Sequence, residues 1–89
     1  MHIRDILNKL KWDPSFRMKK HQFLIQYTHR GAPGDNIVVC YTQINKVRSD
    51  SFEIWNETEI VRIPFHRIEK IFNKETHDIL YKKRTLGAL

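Results

Sequence analysis

Apolar residues near the start of the chain fall at Ile3, Ile6, Leu7 and Leu10, the i, i+3, i+4, i+7 spacing of one helix face. Arg4, Asn8, Lys9 and Lys11 take the other side, and no glycine or proline interrupts them. The spacing predicts a helix over residues 3–12. It should stop at Trp12-Asp13, because Pro14 disfavours helical backbone in the residue before it. A helix this short is marginal in water, so its stripe must dock, with Trp12 as a packing anchor at its end. The period then changes. After a basic connector over 15–21, Phe23, Ile25 and Tyr27 alternate with Leu24, Gln26 and Thr28, the pattern of a strand with one face in a core. His29 to Asp35 reads as a loop, with Pro33-Gly34 suited to the centre of a type II turn, so the strands on either side should be antiparallel neighbours. Residues 37–41 are a continuous apolar run and predict a central strand. Shorter strands follow over 44–47, 52–55, 58–63, 68–72 and 77–82, with turns at 49–51, 56–57 and 73–76. Pro64 removes a backbone donor and so ends a ladder or marks an edge.

Two of these stretches share one frame. Val39, Tyr41, Ile44, Lys46 and Val47 recur 24 positions later as Ile63, Phe65, Ile68, Lys70 and Ile71. At the centre the copies differ: Thr42-Gln43 in the first, His66-Arg67 in the second. A shared frame reads as scaffold, and a changed pair as the place where one copy was given chemistry. The plainer alternative is a bent unit that occurs twice, with His66-Arg67 a solvated corner. The pattern predicts an α+β domain in which the N-terminal helix packs on a bent antiparallel sheet or small open β-barrel containing two similar ββ units. It divides into a helix and turn over 1–14, a β-rich body over 22–84 and a tail over 85–89.

With 89 residues the chain is one domain with a small core, burying about 60–65% of the surface it exposes when unfolded. No apolar run reaches the length of a membrane span, and the first residues have helical periodicity where a signal peptide would have an apolar block, so a cytoplasmic protein is expected. The lone Cys40 has no partner for an internal disulfide, fits a reducing compartment and is expected buried in its apolar run. The net charge of +6 is uneven: +5 over residues 1–34, −2 over 35–69 and +3 over 70–89. If folding brings the two ends onto one face, that face attracts polyanions, nucleic acid before membrane. Ordinary solubilising charge is the alternative.

The sequence has no paired cysteines or His/Cys spacing for zinc, no Gly-rich phosphate loop before a helix, no nucleophile elbow and no pair of His-x-Ser/Thr motifs. No metal, cofactor or catalytic set is therefore expected. What remains binds anions. Arg30 and Arg67 carry planar forks that match phosphate, and His29 and His66 can donate to its oxygens. Lys82, Lys83 and Arg84 form a second cluster. Tyr27, Phe65, Tyr81, Trp55 and Trp12 are candidates for stacking on bases, each weighed against a place in the core. Two other functions stay open: an RNA phosphodiesterase or ribonuclease using His66 with His29, and a protein-interaction domain with incidental charge.

The chain resembles the RNA cyclic-group end recognition domain family. The likeness rests on the Ile6-Leu7 helix running into Trp12-Asp13, on Tyr27 followed by Arg30, on the basic end at Arg84, and above all on Ile63-Pro64-Phe65-His66-Arg67-Ile68. It covers nearly the whole chain. His29 stands where the family tends to have an acid, and Tyr81 where it tends to have a tryptophan, so roles for these two are less firmly implied than for His66 and Arg67. The resemblance implies a binding module, not an enzyme, that recognises RNA ends bearing a 2′,3′-cyclic phosphate. Relatives occur alone in archaea or fused to RNA-end-processing domains, so RNA and an RNA-processing enzyme are the implied partners.

Overall fold

A computed structural model describes residues 3–13, 19–29, 31 and 33–83. Helix α1 runs over Ile3–Trp12 and buries Ile6, Leu7 and Leu10, the stripe expected from its spacing. Fully burying three large aliphatic side chains is worth roughly 5–8 kcal/mol, enough to hold a helix too short to stand alone. Trp12 is not the anchor its position suggested: its side chain is 74% exposed, with the Lys11 ammonium 5.2 Å from the ring centre. The stripe ends at Leu10, and Trp12 falls on the solvent side.

Seven strands follow: β1 (Phe23–Thr28), β2 (Asn36–Cys40), β3 (Ile44–Val47), β4 (Ser51–Asn56), β5 (Glu59–Pro64), β6 (Ile68–Asn73) and β7 (Ile79–Lys82). They form two open antiparallel sheets, one ordered β2-β1-β6-β7 and the other β3-β4-β5. The expected α+β domain of a helix and a bent, open antiparallel body is present, the body taking the form of two open sheets joined through two bends, Tyr41–Gln43 and Phe65–Arg67. Each bend is one 3-10 turn between residues of extended backbone, and each carries the chain from one sheet to the other.

Strand β2 is an edge strand, not the central one its apolar run suggested, and Val38 is left exposed on its outer face. Its β-branched residues suit extended backbone in either position. The expected β1–β2 hairpin is present: the His29 N–H donates to the Asp35 carbonyl (2.8 Å), and Gly34 takes the positive φ (69°) foreseen for the turn. Pro64 ends β5 at the edge of the smaller sheet, opposite Ser51. The last strand is two residues shorter than predicted, because His77 adopts a left-handed φ of 65°. Cys40 is half-buried, its thiol directed at the His21 carbonyl (3.6 Å).

The repeat seen in the sequence is reproduced in the pairing. Ile25 of β1 lies between Val39 and Ile71, and Phe52 of β4 lies between Ile63 and Val47. One step along, Tyr27 lies between Ile37 and Ile68, and Ile54 between Val61 and Ile44. So β1-β2-β3 and β4-β5-β6 are equivalent units, each giving its third strand to the other's sheet. Even the irregularities agree: β3 skips Asn45 in its pairing with β4, and β6 skips Glu69 in its pairing with β1. The shared apolar positions Val39, Ile63, Ile68 and Ile71 meet Phe52, Ile25 and the helix stripe in one core. Strand β7 has no counterpart in the first unit.

Candidate functional site

The second bend is held rigidly at its base. Pro64 fixes the approach in extended backbone (φ −63°, ψ 144°), the Phe65 N–H donates to the Asp50 carbonyl (3.0 Å), and the Phe65 ring stacks on Phe52 with centroids 6.4 Å apart. With Phe65 turned inward, the next two residues are left facing solvent, and both His66 and Arg67 are exposed. They border an open depression of about 690 Å³ lined by Thr28, His29, His66, Arg67, Glu69 and Lys83.

The sheet order explains this gathering. Strands β1, β6 and β7 are neighbours, so the end of β1 brings Thr28 and His29 beside Glu69 of β6 and beside Lys83, which follows β7. Glu69 is the residue left out of the ladder at the bulge, a place where a side chain is re-aimed. Its carboxylate accepts a hydrogen bond from the Thr28 hydroxyl (2.7 Å). The Lys83 ammonium donates to the His66 carbonyl (2.6 Å), and the Lys83 N–H donates to the Glu69 carbonyl (2.8 Å). The chain after β7 is thereby tied to the bend. Lys83 uses one ammonium hydrogen in this contact and has two more to offer. Among the described residues the Arg67 guanidinium has no carboxylate or carbonyl partner, whereas Arg48 is bound to Glu53 and Arg62 to Asp50. The depression therefore presents two formal positive charges, two imidazoles and one carboxylate.

Of the residues singled out in the sequence, His66, Arg67, His29 and Lys83 come together here. Arg30 and Arg84 lie outside the described residues. Lys82 is exposed on β7 opposite Lys70 and does not line the depression. Tyr27 is a core residue, not a platform for a base. It is 6% exposed and meets Phe52 edge-on, and its burial raises the phenol pKa. Phe65 and Tyr81 are half-buried against the core, and neither they nor the exposed Trp12 and Trp55 line the depression. Thr28 and Glu69 were missed. Thr28 could have been found from its place on the outer face just before His29. The bulge that turns Glu69 into the site leaves no mark in the sequence. His29, His66 and Glu69 share the depression, but among the described residues no three such groups converge as a metal ion requires.

Comparison with known proteins adds the family. Residues 1–83 match the model of the MJ1316 RNA cyclic group end recognition domain. The UPF0248 protein MmarC5_1387 of Methanococcus maripaludis is 43% identical over 82 residues, 92% of this chain and 99% of the relative. A UPF0248 protein of Methanococcus vannielii is 39% identical over 87 residues, 98% of each chain. The UPF0248 protein MJ1316 of Methanocaldococcus jannaschii is 34% identical over 82 residues, 92% of this chain and 94% of the relative. No solved structure is significantly similar. A match of this extent places the chain in the MJ1316 RNA cyclic group end recognition domain family, also designated UPF0248.

Proposed function

We propose that this chain is an RNA-binding module that captures an RNA terminus, with the second bend holding a terminal 2′,3′-cyclic phosphate. The observation that carries the reading is the Arg67 guanidinium, without a partner among the described residues, set beside His66, His29 and Lys83 in one open depression. A planar fork with further donors around it is the arrangement that binds phosphate oxygens. The family's name points to the same ligand class. In this reading Arg67 grips the phosphate, His66 donates to the phosphate or ribose, and Lys83 supplies charge from beside the bend. Among the described residues no Phe, Tyr or Trp lines the depression, so in this reading the grip falls mainly on phosphate and sugar.

The test is binding of one short single-stranded RNA carrying a 3′ hydroxyl, a linear phosphate or a 2′,3′-cyclic phosphate, at two salt concentrations. The cyclic end should bind most tightly. Equal, salt-sensitive affinity for all three would reduce the protein to a general RNA binder. One observation favours a second reading: His29 and His66 line the same depression, as an acid/base pair on a phosphodiester would. Turnover of the cyclic end, abolished in His66→Ala, would establish that reading. The module proposed here binds without turnover.

A further inference from the structure

Glu69 sets a carboxylate in the lining of the proposed phosphate site. Its Oε1 is held by the Thr28 hydroxyl at 2.7 Å, and the bulge at position 69 fixes the backbone that carries it. Against it, among the described residues, stand the cations Arg67 and Lys83. A 2′,3′-cyclic phosphate is a diester with one negative charge. A linear terminal phosphate is a monoester, which carries about −1.5 to −2 at pH 7. The linear end therefore brings a further negative charge into the depression that Glu69 lines.

We propose that Glu69 is a charge filter, making the second bend prefer a monoanionic cyclic phosphate over a dianionic linear phosphate. This inference rests on the end-binding reading and assigns its selectivity to one residue. The extra charge of the linear end lies within the same depression as the carboxylate, where like charges repel without full solvent screening. A competing effect has the opposite sign. Opening the ring frees a neighbouring ribose hydroxyl, which could donate to Glu69 and favour the linear end. That bond is charge-assisted, but it replaces bonds that the hydroxyl and the carboxylate both make to water, and Glu69 already accepts from Thr28. The filter requires the repulsion to prevail.

The experiment compares Kd for the linear-phosphate and cyclic-phosphate RNAs in the wild type, Glu69→Gln and Glu69→Asp. Gln keeps an oxygen for the Thr28 hydroxyl and removes the charge; Asp keeps the charge. The linear-to-cyclic Kd ratio should fall roughly tenfold in Glu69→Gln at low salt, through tighter binding of the linear end. It should stay near the wild-type value in Glu69→Asp, and the difference between the variants should shrink as salt is raised. An unchanged ratio in Glu69→Gln would overturn the filter. Weaker binding of the linear end would overturn it too, showing that Glu69 reads the hydroxyl. In either case wild-type affinity for phosphate ends would leave the end-binding reading standing. A wild type that binds no phosphate-bearing end would overturn both.

Discussion

The two bends of this molecule are built on one frame and put to different uses. In the first, the Gln43 and Tyr41 side chains are turned back onto the protein, and Thr42 is left exposed. The Gln43 side chain accepts from the Cys40 N–H (3.1 Å) and donates to the Trp55 carbonyl (3.3 Å), and the buried Tyr41 hydroxyl donates to the Leu7 carbonyl (2.6 Å), tying the bend to the helix. In the second, Phe65 has no hydroxyl to tie, and the residues equivalent to Thr42 and Gln43 are an imidazole and a guanidinium directed to solvent. At the bulge the neutral Asn45 is answered by the charged Glu69. The unmatched strand β7 then delivers Lys83 to the second bend alone. The first bend is braced by side-chain hydrogen bonds, and the second turns its imidazole and guanidinium to solvent.

This contrast can be broken by substitution, and the largest effect should fall on the first bend. Tyr41→Ala removes a 96% buried ring and a buried hydrogen bond, and should cost about 3–5 kcal/mol in urea unfolding. Phe65→Ala, on a half-buried ring, should cost clearly less; equal costs would deny that the two bends differ in structural weight. Arg67→Ala should weaken binding of a phosphate-bearing RNA end by about 1.5–3 kcal/mol, the range for charge-assisted bonds, and leave the unfolding midpoint unchanged. Unfolding of that variant would make Arg67 a structural residue. Gln43→Ala should cost about 1 kcal/mol in stability through its two lost backbone contacts.

A smaller, pH-dependent signature belongs to the first bend. Burial pushes the Tyr41 phenol up to about 12 from the ordinary 10.0. The unfolded chain then releases this proton at lower pH than the native protein does, so stability should fall as pH rises from about 10 to about 12. Tyr41→Phe should flatten that part of the stability profile, and a profile with the same slope in both proteins would contradict this assignment.

Much of the scaffold was legible because it is written in periodicities. Ile3, Ile6, Leu7 and Leu10 gave the helix face, alternation through Phe23, Ile25 and Tyr27 gave β1, and the 24-residue repeat gave two bent units. The division into two sheets was not legible, because a bend reads the same whether it curves one sheet or passes between two. For the same reason the apolar run of β2 did not reveal that it lies on an edge. Half of the site was legible as basic residues at bends, His66 and Arg67 foremost. Tyr27 misled because alternation places it on the inner face but cannot say how deeply the ring is covered. Glu69 was hidden because a bulge depends on pairing with a distant strand, and its local sequence resembles that of any regular strand.

The proposed division of labour gives binding to the second bend and support to the first. It is tested most directly by measuring the affinity of a short RNA ending in a 2′,3′-cyclic phosphate for the wild type, Arg67→Ala and Gln43→Ala, with unfolding curves on the same samples. Arg67→Ala should lose end binding at unchanged stability, while Gln43→Ala should lose stability at unchanged end binding. Equal loss of binding in both variants, or in neither, would contradict it.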